Sequence, residues 1–471
     1  MVVGLPSMRA VVIGGGFGGL ASAAFLAKKG YDVVLVEKGC RLGGRSASVE
    51  VGGYKAEIGP TWYLMDDVID KVFQELGGRR YQVVDLEPSM VFVDGRYGRL
   101  EVGRDLPQRL EELERGAGDK FVEMMREAAR LYRAVVDNML FKKYDSWLDL
   151  LSAAKAGPGL ARYLRSFGSY VEARFRHPLI RRLLEYDGMF VGSPPWELPA
   201  LYGLLLNYSV FVRGVKAPRG GFGAVAENLA ELGARHGAQF KTCTAAKKIE
   251  VGSGRVLGVH TQAGFLKADV VVANADYKLV EDMLPPRFRS YDESYWRGLR
   301  MAPSAYMAVL AGGRWEGPPH VVYISSWEEH LNALVGRGGM PDAPSFYVHI
   351  PTAVEDGWAP PGRSSMFLLV PSPPGVSYWP RGLAEKLASM AVGGEVKTLV
   401  EYPSRFFCDR HGAYLCTALG PRHTLRQTAL GRPLMKSRRV EGLYYVGQYT
   451  HPGIGVPSVL ASAYILARYY V

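Results

Sequence analysis

Gly14, Gly16 and Gly19 stand in G-x-G-x-x-G spacing within the run Gly14-Gly15-Gly16-Phe17-Gly18-Gly19. An apolar run at residues 10–13 precedes them, as expected of a buried parallel strand. Helical composition follows over residues 20–29, and Gly30 sits where a C-cap glycine belongs. In that strand–turn–helix setting the three glycines have separate tasks. Gly14 permits the tight turn, Gly16 lets the backbone approach a pyrophosphate, and Gly19 lets helix and strand pack closely. The helix start offers free N–H groups and a positive dipole end to phosphate oxygens. A second strand over residues 32–37 ends in Glu37, about 20 residues past the glycines, where a carboxylate can accept from both ribose hydroxyls of an adenosine and would repel a 2′-phosphate. These residues define a dinucleotide site that leaves FAD and NAD both open.

The segment Lys38-Gly39-Cys40-Arg41-Leu42-Gly43-Gly44-Arg45 resembles the Gly-Gly-Arg segment of FAD-dependent amine oxidases and carotenoid desaturases, and so favours FAD. The resemblance implies that Lys38, Gly43, Gly44 and Arg45 continue the cofactor site, with glycines admitting the backbone and Arg45 supplying charge. Further segments are similar to the bacterial-type phytoene desaturase and carotenoid dehydrogenase family. They are Ala56-Glu57-Ile58-Gly59-Pro60-Thr61-Trp62, Gly192-Ser193-Pro194-Pro195, Leu198-Pro199-Ala200-Leu201-Tyr202, Gly214-Val215-Lys216-Ala217-Pro218-Arg219-Gly220-Gly221, and above all Gly447-Gln448-Tyr449-Thr450-His451-Pro452-Gly453-Ile454-Gly455-Val456-Pro457. The likeness covers essentially the whole chain.

That resemblance implies further cofactor contacts at Gly59, Pro60, Thr61, Gly447 and Gln448. Ala246 would contact the adenine through its backbone. Gly455, Val456 and Pro457 would pass beside the isoalloxazine, with a helix opening at Pro457 whose positive end favours the charge of a reduced flavin. Amine oxidases place an acid at the position of Gln448; an amide there binds a hydroxyl without charge, which weakens the amine oxidase reading. The activity implied is removal of hydride from an allylic CH2–CH2 unit of a long polyisoprenoid such as phytoene, with quinone or oxygen as electron acceptor. A saturase acting on prenyl chains, a redox-neutral carotene isomerase and a non-catalytic flavin carrier are the alternatives. His451 is the candidate for proton transfer, weighed against a structural histidine bonded to backbone. No triad or metal-ligand spacing is evident.

The expected fold is α/β: a Rossmann-type FAD-binding domain, a mixed-sheet substrate domain and a helical membrane-facing region. Residues 1–95, 214–285 and 425–471 form the discontinuous FAD-binding domain, 96–213 the mainly helical region and 286–424 the mixed sheet. Residues 106–140 follow a helical period broken at Gly116 and Gly118, and 147–212 continue mostly helical. Helix is expected over 224–236, buried strand over 268–274, and short strands between Pro and Gly clusters over 299–402.

The chain has 471 residues, 48% hydrophobic and 22% charged, with net charge +11. That composition fits an ordered globular protein of more than one core. The positive balance favours an anionic partner; no nucleic-acid motif accompanies it, so an anionic membrane surface is expected. Residues 198–211 combine Tyr202, Tyr208, Phe211 and a Leu cluster, with Arg213 and Lys216 after them. Such a segment suits an interfacial helix or, equally, a buried helix with basic caps. Arg162, Arg165, Arg174, Arg176, Arg181 and Arg182 offer either a basic docking face or an ordinary solvated surface. No 20-residue apolar span is present, and residues 1–7 lack the features of a targeting segment. The four cysteines, Cys40, Cys243, Cys408 and Cys416, have no C-x-x-C spacing. They suggest a reducing cytoplasm, with a disulfide open for a heat-adapted one. The expected location is cytoplasmic, peripheral on the inner face of the membrane.

Overall fold

The computed structural model describes residues 7–149, 159–374, 376 and 379–471. Residues 1–6 of the N-terminal stretch and 150–158 of the expected helical region lie outside them.

The Val-rich runs assemble a five-stranded parallel sheet ordered Leu443–Tyr445, Val270–Ala273, Arg9–Ile13, Asp32–Val36 and Gln239–Lys241. Both faces are covered at its centre, which is why the three central strands read as largely apolar runs, unlike the edge strand Gln239–Lys241. On one face the helices Phe17–Lys28, Gly221–Arg235 and Val456–Tyr469 pack around Leu26, Leu229 and Leu466. On the other lie Tyr277, Trp296 and the three-stranded antiparallel sheet Ala246–Gly252, Arg255–Thr261 and Gly264–Lys267. The first helix starts three residues earlier than composition suggests. Gly18 and Gly19 belong to its first turn, where a Cβ on Gly19 would stand 2.0 Å from the Gly14 carbonyl oxygen. Close packing therefore overrides the poor helix propensity of glycine.

A second, seven-stranded sheet runs Val396–Tyr402, Ser304–Gly313, Arg363–Ser372, Phe346–His349, His320–Ile324, Met90–Asp94 and Gly98–Val102. It is mixed: Met90–Asp94 lies parallel to His320–Ile324 and the remaining pairs are antiparallel. A boundary at residue 95 would cut the hairpin of Met90–Asp94 and Gly98–Val102, both of whose strands belong here and not with the parallel sheet. Ser304–Gly313 sits inside the sheet and alternates with period two. Ala305, Met307 and Val309 face one core, and Tyr306, Ala308 and Leu310 face another.

The helical segments over this sheet include Ala117–Val135, Phe167–Glu172, Pro178–Glu185, Asp187–Val191 and Ala200–Phe211. Gly116, with φ of 80°, makes the break before Ala117, whereas Gly118 lies within the helix. Ala117–Val135 runs into a π-helical turn, Val136–Leu140.

The interfacial reading of residues 198–211 is corrected here. The helix Ala200–Phe211 is internal: Leu204 and Val210 are buried, Tyr208 packs on Tyr132 and Phe211 on Phe121. The cations after it are neutralised by acids, Arg213 by Asp66 and Lys216 by Asp85. Of the arginines on the preceding helices, Arg162 and Arg174 pair with Glu127, Arg181 with Glu172 and Arg182 with Asp94. They form an ion-paired surface more than a free basic face. No helix among the described residues is long and apolar enough to cross a membrane.

Candidate active site

Strand Arg9–Ile13 ends at Gly14, whose φ of +99° turns the chain; the Gly14 N–H is held by the Val36 carbonyl at 2.9 Å. A Cβ on Gly16 would come within 2.9 Å of Asn274 Nδ2, and one on Gly18 within 2.4 Å of Asn274 Oδ1. The second glycine pair lies directly on the first. Gly43 N–H bonds the Gly15 carbonyl at 2.8 Å, and a Cβ on Gly44 would stand 3.1 Å from Gly16 Cα. Side chains here would fill the space that a pyrophosphate needs.

Glu37 is held on both sides of its carboxylate, accepting from Gly15 N at 2.7 Å and Gly39 N at 2.6 Å. Its main chain is bonded to Lys241 and Thr244. These bonds orient the carboxylate and leave its remaining lone pairs for ribose hydroxyls. Arg45 is half-buried, and its Nε and one terminal nitrogen are enclosed without a partner. Burial lowers its pKa, with Asp276 and Tyr449 acting against that. Gln448 Nε2 is likewise buried and unpartnered. Unpaired buried donors, a glycine cradle and a positioned acid form the donor set that a dinucleotide's phosphates and ribityl hydroxyls satisfy, so the residues fit FAD.

One cavity of about 690 Å³ joins these parts, within the usual range for ligand sites. Of the residues expected at the site it is lined by Gly14, Gly16, Phe17, Glu37, Lys38, Gly43, Gly44, Arg45, Pro60, Ala246, Gly447, Gln448, His451, Gly455, Val456 and Pro457. Gly18, Gly19, Gly59 and Thr61 stand behind its wall. A Cβ on Gly59 would sit 1.9 Å from the Arg45 carbonyl oxygen, so Gly59 is a packing residue that lets the Arg45 segment close on it. Thr61 is buried against Tyr347, Oγ1 to phenol oxygen 2.6 Å. Glu57, in the same segment, accepts from Phe222 N–H at the start of helix Gly221–Arg235, and burial pushes its carboxyl up to about 8.

His451 is half-buried, its ring edge-on to Tyr144 with centroids 4.6 Å apart. Burial first, then Arg432, hold its pKa down at about 3, against the pull of the Met139 and Leu140 carbonyls. The Met139 and Leu140 carbonyls hold the ring on the π-helical turn, as in a structural histidine, while its Nε2 is unpartnered and the residue lines the cavity.

Asn274 was not singled out by its sequence. It ends the strand Val270–Ala273, and its amide touches the space above Gly16, Gly18 and Gly447 together. The apolar end of the cavity is lined by Trp62, from the loop after Tyr54–Glu57, and by Met139, Phe190, Leu201, Leu205 and Leu206, from the π-helical turn and the helices Asp187–Val191 and Ala200–Phe211. The carboxylates on the cavity among the described residues are Glu37 and Asp276, both at its polar end. Asp276 accepts from Tyr449 OH at 2.6 Å.

All four cysteines are paired, Cys40 with Cys243 and Cys408 with Cys416. The expectation of reduced thiols is corrected, since the absence of C-x-x-C spacing says nothing about partners brought together by the fold.

A parallel nucleotide-binding sheet and this cradle, opening into an apolar chamber, define an FAD-dependent oxidoreductase. The model of the flavin containing amine oxidoreductases matches residues 17–469. The carotenoid 3,4-desaturase of Haloarcula japonica is 35% identical, with 96% of this chain and 95% of that protein covered. The zeta-carotene-forming phytoene desaturase of Myxococcus xanthus is 30% identical, with 98% and 93% covered. An oxidoreductase from Methanosarcina mazei shares the fold, with TM-score 0.64 at 17% identity over 97% of this chain and 99% of that one. The chain belongs to the carotenoid desaturase family within the flavin-containing amine oxidoreductases.

Proposed function

We propose that this enzyme desaturates a long polyisoprenoid of the carotenoid pathway, phytoene or a longer polyene derived from it. The observation that carries the proposal is the single cavity in which the cofactor cradle runs on into an apolar wall without a carboxylate. An amine substrate would enter as a cation and favour a carboxylate at that wall; a hydrocarbon needs only shape and dryness.

When bound, FAD would supply a hydride acceptor for an allylic CH2; the two electrons and the proton released from the neighbouring carbon would end on an acceptor of the quinone class or oxygen, reduced to quinol or hydrogen peroxide. The protein binds and orients. Trp62, Phe190 and the Leu side chains of Ala200–Phe211 hold the chain and exclude water. Glu37, Asn274 and Arg45 hold the cofactor's polar end, and the helix start at Gly455–Pro457 favours negative charge on the ring system.

Peripheral binding to an anionic membrane surface is part of this proposal. Trp147 and Leu148 are 73% and 77% exposed, they follow Lys142 and Lys143, and Tyr144 between the two pairs lines the cavity. An apolar tip beside Lys142, with Lys143 paired to Asp145, at the edge of the substrate chamber, suits uptake of a lipid-dissolved hydrocarbon.

The test is phytoene in liposomes, mixed with FAD-loaded enzyme and a quinone. Conjugated absorption is expected to move to longer wavelength with time. If oxidised enzyme converts no such polyisoprenoid while reduced enzyme saturates a prenyl chain, the direction proposed here is wrong.

A further inference from the structure

Arginines drawn into the body of this protein, Arg422 buried and Arg182 and Arg213 half-buried, have acids beside them. Arg182 meets Asp94 at 2.7 Å, Arg422 meets Glu197 at 3.5 Å, and Arg213 meets Asp66. Even Arg45 has Asp276 near it. Arg432 breaks this pattern. It is only 2% exposed, and no carboxylate among the described residues lies within ion-pair distance. Tyr202 and Tyr295 lie near it, and burial pulls its pKa down to about 10, so it stays a cation. Its Nε has no partner. Burying a charge without a counter-charge is costly, and such exceptions are kept where function supplies the missing partner.

The surroundings say where that partner stands. One terminal nitrogen of Arg432 donates to the Gln448 carbonyl at 2.9 Å; the other donates to the Pro421 carbonyl at 3.2 Å and lies 3.4 Å from His423 Nδ1. His423 Nε2 accepts from Ile454 N–H at 3.2 Å. Burial, then Arg432, keep the His423 ring neutral, so it adds no second charge. A Cβ on Gly453 would come within 3.0 Å of the guanidinium carbon, so the cation lies flat against this loop's backbone. The same loop, from Gln448 through Ile454, lines the cavity and leads into the helix start at Val456.

We propose that Arg432 is a positioning residue of the redox site, whose carboxylate-free guanidinium, fixed on the 448–454 loop, favours the negative charge that the bound flavin gains with a hydride. It holds the loop through Gln448 and sets the local potential without lining the cavity. In a water-excluded site such a charge is weakly screened. This inference rests on the FAD-dependent desaturase reading, in which hydride acceptance by the flavin is the demanding step, and it concerns the flavin's own equilibrium.

The experiment is measurement of the two-electron midpoint potential of FAD-loaded wild type, Arg432→Lys and Arg432→Met by dye equilibration, without any polyene. Arg432→Met is expected to be harder to reduce by at least tenfold in the equilibrium constant, about 30 mV for two electrons. Arg432→Lys is expected to stay near wild type. A folded, FAD-loaded Arg432→Met variant with unchanged potential overturns the proposal. Should that variant fail to hold FAD, Tyr295→Glu keeps Arg432 and places an acid near it. The same downward shift is then expected, and no shift overturns the proposal. Failure of desaturation with the potential effect intact would overturn the functional reading alone.

Discussion

Cys40 and Cys243, 203 positions apart in sequence, are bonded to each other beside Glu37. The bond fixes the loop that follows the second strand of the parallel sheet to the segment after Gln239–Lys241. Backbone bonds from Cys243 N–H to Gly39 and from Thr244 N–H to Glu37 reinforce it. The end of the cavity lined by Glu37, Ala245 and Ala246 is thereby stapled from both sides.

Closing so long a loop restrains the unfolded chain strongly. Replacing both Cys40 and Cys243 by serine is expected to cost about 2–5 kcal/mol of stability and to speed FAD loss on gel filtration. An unchanged melting temperature and unchanged FAD content would show that the backbone bonds alone hold the loop.

Gly16→Val is expected to give a folded but colourless protein. Its first side-chain carbon would already crowd Asn274 Nδ2 at 2.9 Å, on the approach to the pyrophosphate. Acid release of a full equivalent of FAD from this variant would remove Gly16 from the cradle.

Glu37→Gln is expected to weaken FAD by about 1–3 kcal/mol, since charge-assisted bonds to the ribose are replaced by neutral ones. Part of the loss comes from the protein, because the amide can accept through one atom where the carboxylate now serves both Gly15 and Gly39. Titration of apoprotein with FAD measures it, and equal affinity would leave Glu37 a loop anchor only.

Asp187, buried below the helix Ala200–Phe211, is bonded by Asn207 Nδ2 at 3.3 Å. Burial pushes its carboxyl up from 3.8 to about 7, with bonds from Tyr186 and Asn207 pulling it back. The unfolded chain releases this proton above pH 3.8 while the folded one keeps it. The stability Asp187 contributes is therefore present below 3.8 and lost as pH rises through about 7. Asp187→Asn cannot ionise, so its melting temperature relative to wild type is expected to climb between these values and level off above. A difference independent of pH would mean that the folded carboxyl ionises like the unfolded one.

Trp147→Ser combined with Leu148→Ser is expected to reduce binding to anionic liposomes while leaving FAD content unchanged, and added salt is expected to weaken wild-type binding. Retention of full binding by the double variant would place the membrane contact elsewhere.

The cofactor cradle was legible in the sequence because its parts are local. Strand, glycine turn, helix and Glu37 lie within one short unit whose spacing the pyrophosphate and ribose dictate. Gly43–Arg45 and the segment from Gly447 to Pro457 were reached through resemblance to the carotenoid desaturases, and residues of both line the same cavity. What depends on distant partners was decided by the tertiary structure. Residues 200–211 have a composition that suits lipid or protein equally, and only packing against Tyr132, Phe121 and the cavity makes that helix internal. Met90–Val102 joins the second sheet because His320–Ile324 offers it an edge. Gly59 and Thr61 stand behind the wall for the same kind of reason, their neighbours Arg45 and Tyr347 being remote in sequence. Asn274, the disulfide pairs and the lone charge of Arg432 carry no local signal at all. Burial and the presence or absence of a partner are properties of the folded surface, and spacing along the chain does not encode them.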